Sequence, residues 1–174
     1  NYVIKIINKA TGNDNTLNVT LDNVNIKANN DAALSVEGAG NTKITLEGKN
    51  TLTSGGKHAG LEHNEKSKDS SGKSVDTGKL TITSGTDGKG NNTGSLTATG
   101  SSASAGIGSV WNTSKVKDSG AGTIEITGGD ITAKGASDGA GIGSGAWATG
   151  KTNITISGTA NVEARTDQGG AGIG

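Results

Sequence analysis

Cysteine is absent from this 174-residue chain, and aromatic residues are reduced to two tryptophans and one tyrosine. Without cysteine there is no disulfide, no thiol chemistry and no cysteine-based zinc site. Hydrophobic residues make up only 29% of the chain, too little for a thick, roughly spherical core, so any core must be thin. Net charge is also missing, because sixteen acidic residues balance sixteen basic ones. The basic residues are dispersed and would not neutralise a run of phosphates, which argues against nucleic acid as a partner. No apolar run approaches the roughly 20 residues of a membrane helix, which argues against membrane insertion. A secretory leader, a lipidation motif and an initiating methionine are lacking, so the segment reads as part of a longer protein.

Glycine is plentiful, at 31 residues, but without the strict three-residue period of collagen. The regular alternation of Ile, Val and Leu argues against plain disorder. Three short stretches return in the same order five times. The first is apolar-x-apolar, at Val19–Leu21, Ile44–Leu46, Leu80–Ile82, Ile124–Ile126 and Ile154–Ile156. The second is apolar-x-small, at Ile26–Ala28, Leu52–Ser54, Leu96–Ala98, Ile131–Ala133 and Val162–Ala164. The third is Ala-small-apolar, at Ala32–Leu34, Ala59–Leu61, Ala105–Ile107, Ala140–Ile142 and Ala171–Ile173.

Each stretch has the period-2 pattern of a half-buried strand, and Gly, Asn and Asp between them favour turns. A strand this short cannot bury its apolar side alone, so equivalent stretches are expected to stack in parallel and in register. The predicted fold is all-β: a right-handed parallel β-helix, a single-stranded solenoid of three short strands per coil and about five coils. A sandwich of hairpins is the alternative, but it accounts for no ordered triple recurrence. Residues 1–174 read as one domain, with 1–16 as a cap or the end of a preceding coil and 17–174 as the five coils. The expected interior columns include Ile26, Leu52, Leu96, Ile131 and Val162, with Ala28, Ser54, Ala98, Ala133 and Ala164 beside them.

Three long loops leave from one corner, Glu62 to Lys79, Gly108 to Thr123 and Gly143 to Asn153, and should cluster on one side. A further polar insertion, Thr83 to Ser95, leaves another corner. The tetrad AGIG ends the third stretch of the last three repeats, with Trp111 and Trp147 at matching places just beyond the first two. Gly106, Gly108, Gly141 and Gly143 are expected to face outward as a floor without side chains, either for a close-approaching ligand or as corner residues. Trp111 and Trp147 should stand together beside it, either stacking on a sugar ring or covering their own loops. Asn112 is a candidate hydrogen-bonding partner for the same ligand.

Asp138 and Asp167 precede AGIG in adjacent repeats, and calcium bridging them with turn carbonyls is the metal reading, the other being two ordinary turn residues. His58 and His63 read as a solvated surface pair. An ice-binding plane of threonines is interrupted by Lys27, Glu125 and Glu163.

The triple stretches and their AGIG tails resemble the right-handed parallel β-helix of secreted bacterial proteins, the architecture of pectate-lyase-like enzymes, autotransporter passengers and carbohydrate-binding surface domains. That resemblance is one of pattern and covers about residues 17 to 174. It implies an extracellular or cell-surface domain of adhesin type that binds a polysaccharide or a host or cell-surface glycan. No catalytic motif of the family carries over: the only arginine is Arg165, and outward strand positions hold Thr or Gly instead of grouped carboxylates. The expected class is therefore non-enzymatic carbohydrate binding, with a structural stalk as the alternative and a polysaccharide lyase or hydrolase behind both.

Overall fold

The computed structural model describes residues 2–10, 15–69, 71–114 and 117–174. Part of the expected cap, residues 1 and 11–14, lies outside the described residues, as do Ser70, Lys115 and Val116 of the long loops. The first half of the chain forms β1 (Ile4–Ile7), β2 (Leu17–Asp22), β3 (Asn25–Lys27), β4 (Leu34–Glu37), β5 (Thr42–Thr53), β6 (Leu61–Glu62), β7 (Lys66–Lys68) and β8 (Ser74–Asp76). The second half forms β9 (Leu80–Ser84), β10 (Gly94–Thr99), β11 (Ile107–Gly108), β12 (Gly122–Ile126), β13 (Asp130–Gly135), β14 (Ile142–Gly143), β15 (Thr152–Ile156) and β16 (Asn161–Thr166).

These strands lie in a five-stranded parallel sheet, ordered β1-β4-β6-β11-β14, and a nine-stranded one whose main path is β15-β12-β9-β5-β10-β13-β16. In the larger sheet β2 and β3 both pair with β5, and β7 and β8 form a separate antiparallel hairpin. The two large sheets curl about one interior as a half-barrel, which corrects the expected solenoid of three separate strands per coil. The finding that overturns it is β5. The first and second stretches of the second repeat are one uninterrupted strand of 12 residues. Its first half pairs with β2 and β9 and its second half with β3 and β10, so it joins what were expected to be two sheets.

Within these sheets equivalent stretches do pair in parallel. Leu34, Leu61, Ile107 and Ile142 are successive partners across the smaller sheet, and Ile173 bridges to Ile142 beyond them. Leu34, Leu61, Ile107 and Ile142 are fully buried, each contributing about 1.5–3 kcal/mol of apolar burial.

The columns of the larger sheet differ from expectation by two residues around β5. Ile44 pairs with Ile82, not Leu80, and Leu52 pairs with Ala98, not Leu96. The interior column therefore runs Ile26, Leu52, Ala98, Ala133, Ala164, while Leu96 lies opposite Asn50. A two-residue shift keeps every inward side chain inward, so alternation alone cannot detect it. Asn50 is fully buried and satisfied by backbone: its Nδ2 donates to the carbonyls of Glu47 and Ser95 at 3.0 and 3.1 Å, and its Oδ1 accepts from Val24 N at 2.9 Å.

The glycines after the third stretch are packed against backbone instead of lining an open floor. Gly106, Gly108, Gly141 and Gly143 are all buried. A Cβ on Gly106 would lie 2.5 Å from Lys134 N, and one on Gly141 the same distance from Arg165 N, where the smaller sheet meets the end of the next strand of the larger one. Gly108 and Gly143 have φ near +134°, and a Cβ there would meet the carbonyl oxygen of the next glycine in the column, Gly143 or Gly174.

Gly106→Ala should therefore destabilise the protein by about 1–3 kcal/mol or more, because backbone on both sides must give way. Gly88, with nothing within 4 Å of an added methyl and no positive φ, is the control: Gly88→Ala should be neutral or stabilise by about 0.4 kcal/mol or a little more. Urea unfolding midpoints of the two variants check the contrast.

Candidate functional site

The three long loops meet on one side, and the contacts that tie them come from residues at the ends of the smaller sheet's strands. Asn64 Oδ1 accepts from Val110 N at 3.1 Å, and Glu65 Oε2 accepts from Lys151 N at 2.7 Å. Backbone bonds from Asn112 N to Ala146 O and from Ser119 N to Thr149 O continue the seam. In this seam Trp111 and Trp147 pack edge to face, with ring centroids 5.9 Å apart and planes at 61°. The Lys57 ammonium sits 4.9 Å from the Trp111 ring centroid, a cation–π contact that covers part of that ring.

Trp147 is 60% exposed and has φ +60°. A left-handed backbone under a bulky aromatic is costly, about 1–3 kcal/mol, and persists only where the surroundings impose it. The Trp111 indole N–H is buried without an acceptor among the described residues, a further cost of about 1–3 kcal/mol. Asn112, expected to serve a ligand, is itself buried and donates to Ser119 Oγ at 2.8 Å and to the Trp147 carbonyl at 3.4 Å. Its position makes it a brace between the two tryptophan loops.

A trough runs from Trp111 across the outer face of the smaller sheet, built of three adjoining hollows of about 410, 320 and 310 Å³. The first lies between the β7–β8 hairpin and residues 110–114 and 117–119, with Trp111 in its wall. It shares Asn64 and Lys66 to Lys68 with the second. The second shares Lys5, Ser35, Glu37 and Glu62 with the third, which reaches Asp31 and His58. The floor is polar because Lys5, Ser35 and Glu62 are neighbours in register on β1, β4 and β6.

The histidines are not the expected solvated pair. His58 Nδ1 lies 2.7 Å from Glu62 Oε2, whose other oxygen accepts from Asn64 Nδ2 at 3.0 Å. The hydrogen bond to Glu62, and then the charges of Glu62 and Asp31, raise the His58 pKa against its partial burial. His63 is fully buried, with Nδ1 2.6 Å from Ala121 O and Nε2 2.8 Å from Gly78 O. Burial pushes its pKa down, although the two carbonyls pull the other way. Strand parity is the signal for this: Glu62 faces outward beside Gly108, so its neighbour faces the interior.

The calcium reading gains no support. Asp138 and Asp167 are both exposed, and among the described residues no group of three or more His, Cys, Asp or Glu gathers to hold a metal ion, whereas calcium takes six to eight converging oxygens, as a rough guide. Asp87, in the Thr83 to Ser95 insertion, caps its own loop by accepting from Lys89 N and Asn91 N at 2.8 and 2.9 Å, as turn aspartates commonly do. Compared with protein-family models, curated proteins and solved structures, the chain has no match in any of the three.

The two histidines should give stability opposite pH dependences. With its folded pKa raised, His58 contributes stability that is complete below the ordinary imidazole value of about 6.5 and is lost as pH rises through the higher folded pKa. With its folded pKa lowered, His63 contributes stability that is present above about 6.5 and is lost as pH falls toward the folded pKa. Urea midpoints measured from about pH 8 to about pH 5 should fall on the acid side, and His63→Gln should remove most of that fall. In an NMR titration Glu62→Gln should bring the His58 pKa back toward its ordinary value.

Proposed function

We propose that the chain is a non-catalytic polysaccharide-binding domain whose binding surface is the trough beginning at Trp111, together with the Trp147 ring packed on it. The observation that carries this reading is the exposed Trp147 ring, held in a left-handed backbone edge to face against Trp111, which itself lines the first hollow. Two energetic costs fall on the same spot, the Trp147 backbone and the unpartnered Trp111 N–H, and such local departures concentrate at functional sites. An indole face offers apolar contact to the C–H face of a sugar ring. Amide, hydroxyl and carboxylate groups such as Asn64, Ser35 and Glu62 suit sugar hydroxyls further along. Three hollows that adjoin through shared lining residues accommodate a chain of sugars better than a compact small molecule.

On this reading the tryptophans supply the sugar contact and the buried glycines do not. Gly106, Gly108, Gly141 and Gly143 contribute by letting the sheets close up, and the contact surface is made by loop and strand side chains. Binding belongs mainly to Trp147, since Lys57 and Trp147 already occupy much of the surroundings of Trp111.

Screening on an array of polysaccharides should yield bound glycans whose affinity drops about tenfold or more, equivalent to ~1.4 kcal/mol, in Trp147→Ala. Far-ultraviolet circular dichroism should be unchanged in that variant. An array without hits, or hits indifferent to Trp147→Ala, would overturn the reading.

A further inference from the structure

Resting on the polysaccharide reading, we infer that the first hollow of the trough selects an anionic polysaccharide, one bearing carboxylate or sulfate groups. Its charged lining residues are Lys66, Lys68, Lys117 and Asp118. Lys66 is engaged by Asp76 across the β7–β8 hairpin, which satisfies that pair internally. Lys68 and Lys117 are both exposed, stand on opposite walls, one on the hairpin and one on the Trp111 loop, and have no ion-pair partner among the described residues. The single carboxylate of the lining, Asp118, adds its charge to the surroundings of Lys66. With Lys66 neutralised by Asp76, the lining keeps two unpaired cations, Lys68 and Lys117, against one anion, Asp118, and Lys57 adds another positive charge on the Trp111 ring.

This local excess stands out in a chain with no net charge. Cations facing one another across a concave surface repel in the empty site and concentrate field lines in it, which draws in an anion and rewards its binding. Lysine suits this role, because a mobile ammonium on a long stem follows charges repeated along a polymer without demanding one bidentate geometry. With the sugar ring on Trp147 and its acidic substituents directed into the hollow, Lys68 and Lys117 meet successive charges on the same chain. The far end of the trough has the opposite character, with Asp31, Glu37 and Glu62 against Lys5, so the anionic stretch is bound at the tryptophan end.

The test uses matched polymers that differ only in charge: dextran, carboxymethyl dextran and dextran sulfate, immobilised at equal sugar density. The expected result is retention on both charged polymers at least about tenfold stronger than on dextran, weakening several-fold between about 50 and about 300 mM salt. Lys68→Gln/Lys117→Gln should lose about fivefold or more on the charged polymers and nothing on uncharged glycans, with unchanged circular dichroism. Equal binding to dextran, no binding to either charged polymer, or charged binding indifferent to the double variant would each overturn the inference. Trp147→Ala separates the two levels. Dextran bound through Trp147 as strongly as the two charged polymers would overturn the charge selection alone, and charged binding that ignores Trp147 would overturn the polysaccharide reading and the inference resting on it.

Discussion

Parallel backbone pairing between stretches remote in the chain is the interaction on which the structure depends. A two-residue strand such as β6, β11 or β14 gains little from its own sequence. Its N–H and C=O groups are satisfied only when neighbours arrive on both sides in register. Once that ladder forms, equivalent side chains stand above one another, and a single branched residue per position closes the interior from Leu34 to Ile142. A narrow interior explains how a chain poor in hydrophobic residues folds. It also requires the backbones of the two sheets to approach closely where they meet, at Gly106 beside Lys134 and Gly141 beside Arg165, and only glycine permits that approach.

The same ladder builds the candidate site. Because β6, β11 and β14 end at one level, the loops that follow leave side by side. Asn64, Glu65 and Asn112 then tie them with side-chain to backbone bonds. The hairpin of β7 and β8 rises next to them and makes the wall opposite Trp111. Side chains of the smaller sheet pass from charged and polar at the β1 end to glycine at the β14 end, so the trough lies over the first strands and the closed glycine contact over the last. Placement of the trough is thus a consequence of which residue occupies each outward position in successive strands.

Much of the strand content is legible from alternation, because strand residues facing the interior must be apolar and those facing out need not be. The meeting of Trp111 and Trp147 is legible as well, since loops of similar length from equivalent places end near each other. Register is not legible: moving β9 or β10 by two residues along β5 exchanges one apolar residue for another and leaves the pattern intact. Nor is the continuity of β5, where Gly48 and the buried Asn50 have the residue types of a turn between strands and instead carry one strand around a bend. A residue without a side chain gives no sign of what lies above it, so the AGIG glycines suggest an open surface that the structure closes. His58 and Glu62 have no evident relation until the chain's path places a carboxylate oxygen beside the imidazole.

By itself, then, the sequence determined the repeated strands, the thin apolar interior, the absence of disulfide chemistry and the two aromatic loops, all of which follow from residue type and period. Tertiary structure alone decided how many strands those stretches become, which residues stack, that the AGIG glycines are sealed by backbone, and that lysines from the hairpin and the Trp111 loop face one hollow. The physical reason is that alternation records only inside against outside. Partners within a layer, and the backbone that closes over it, depend on contacts between residues whose separation along the chain carries no local signature.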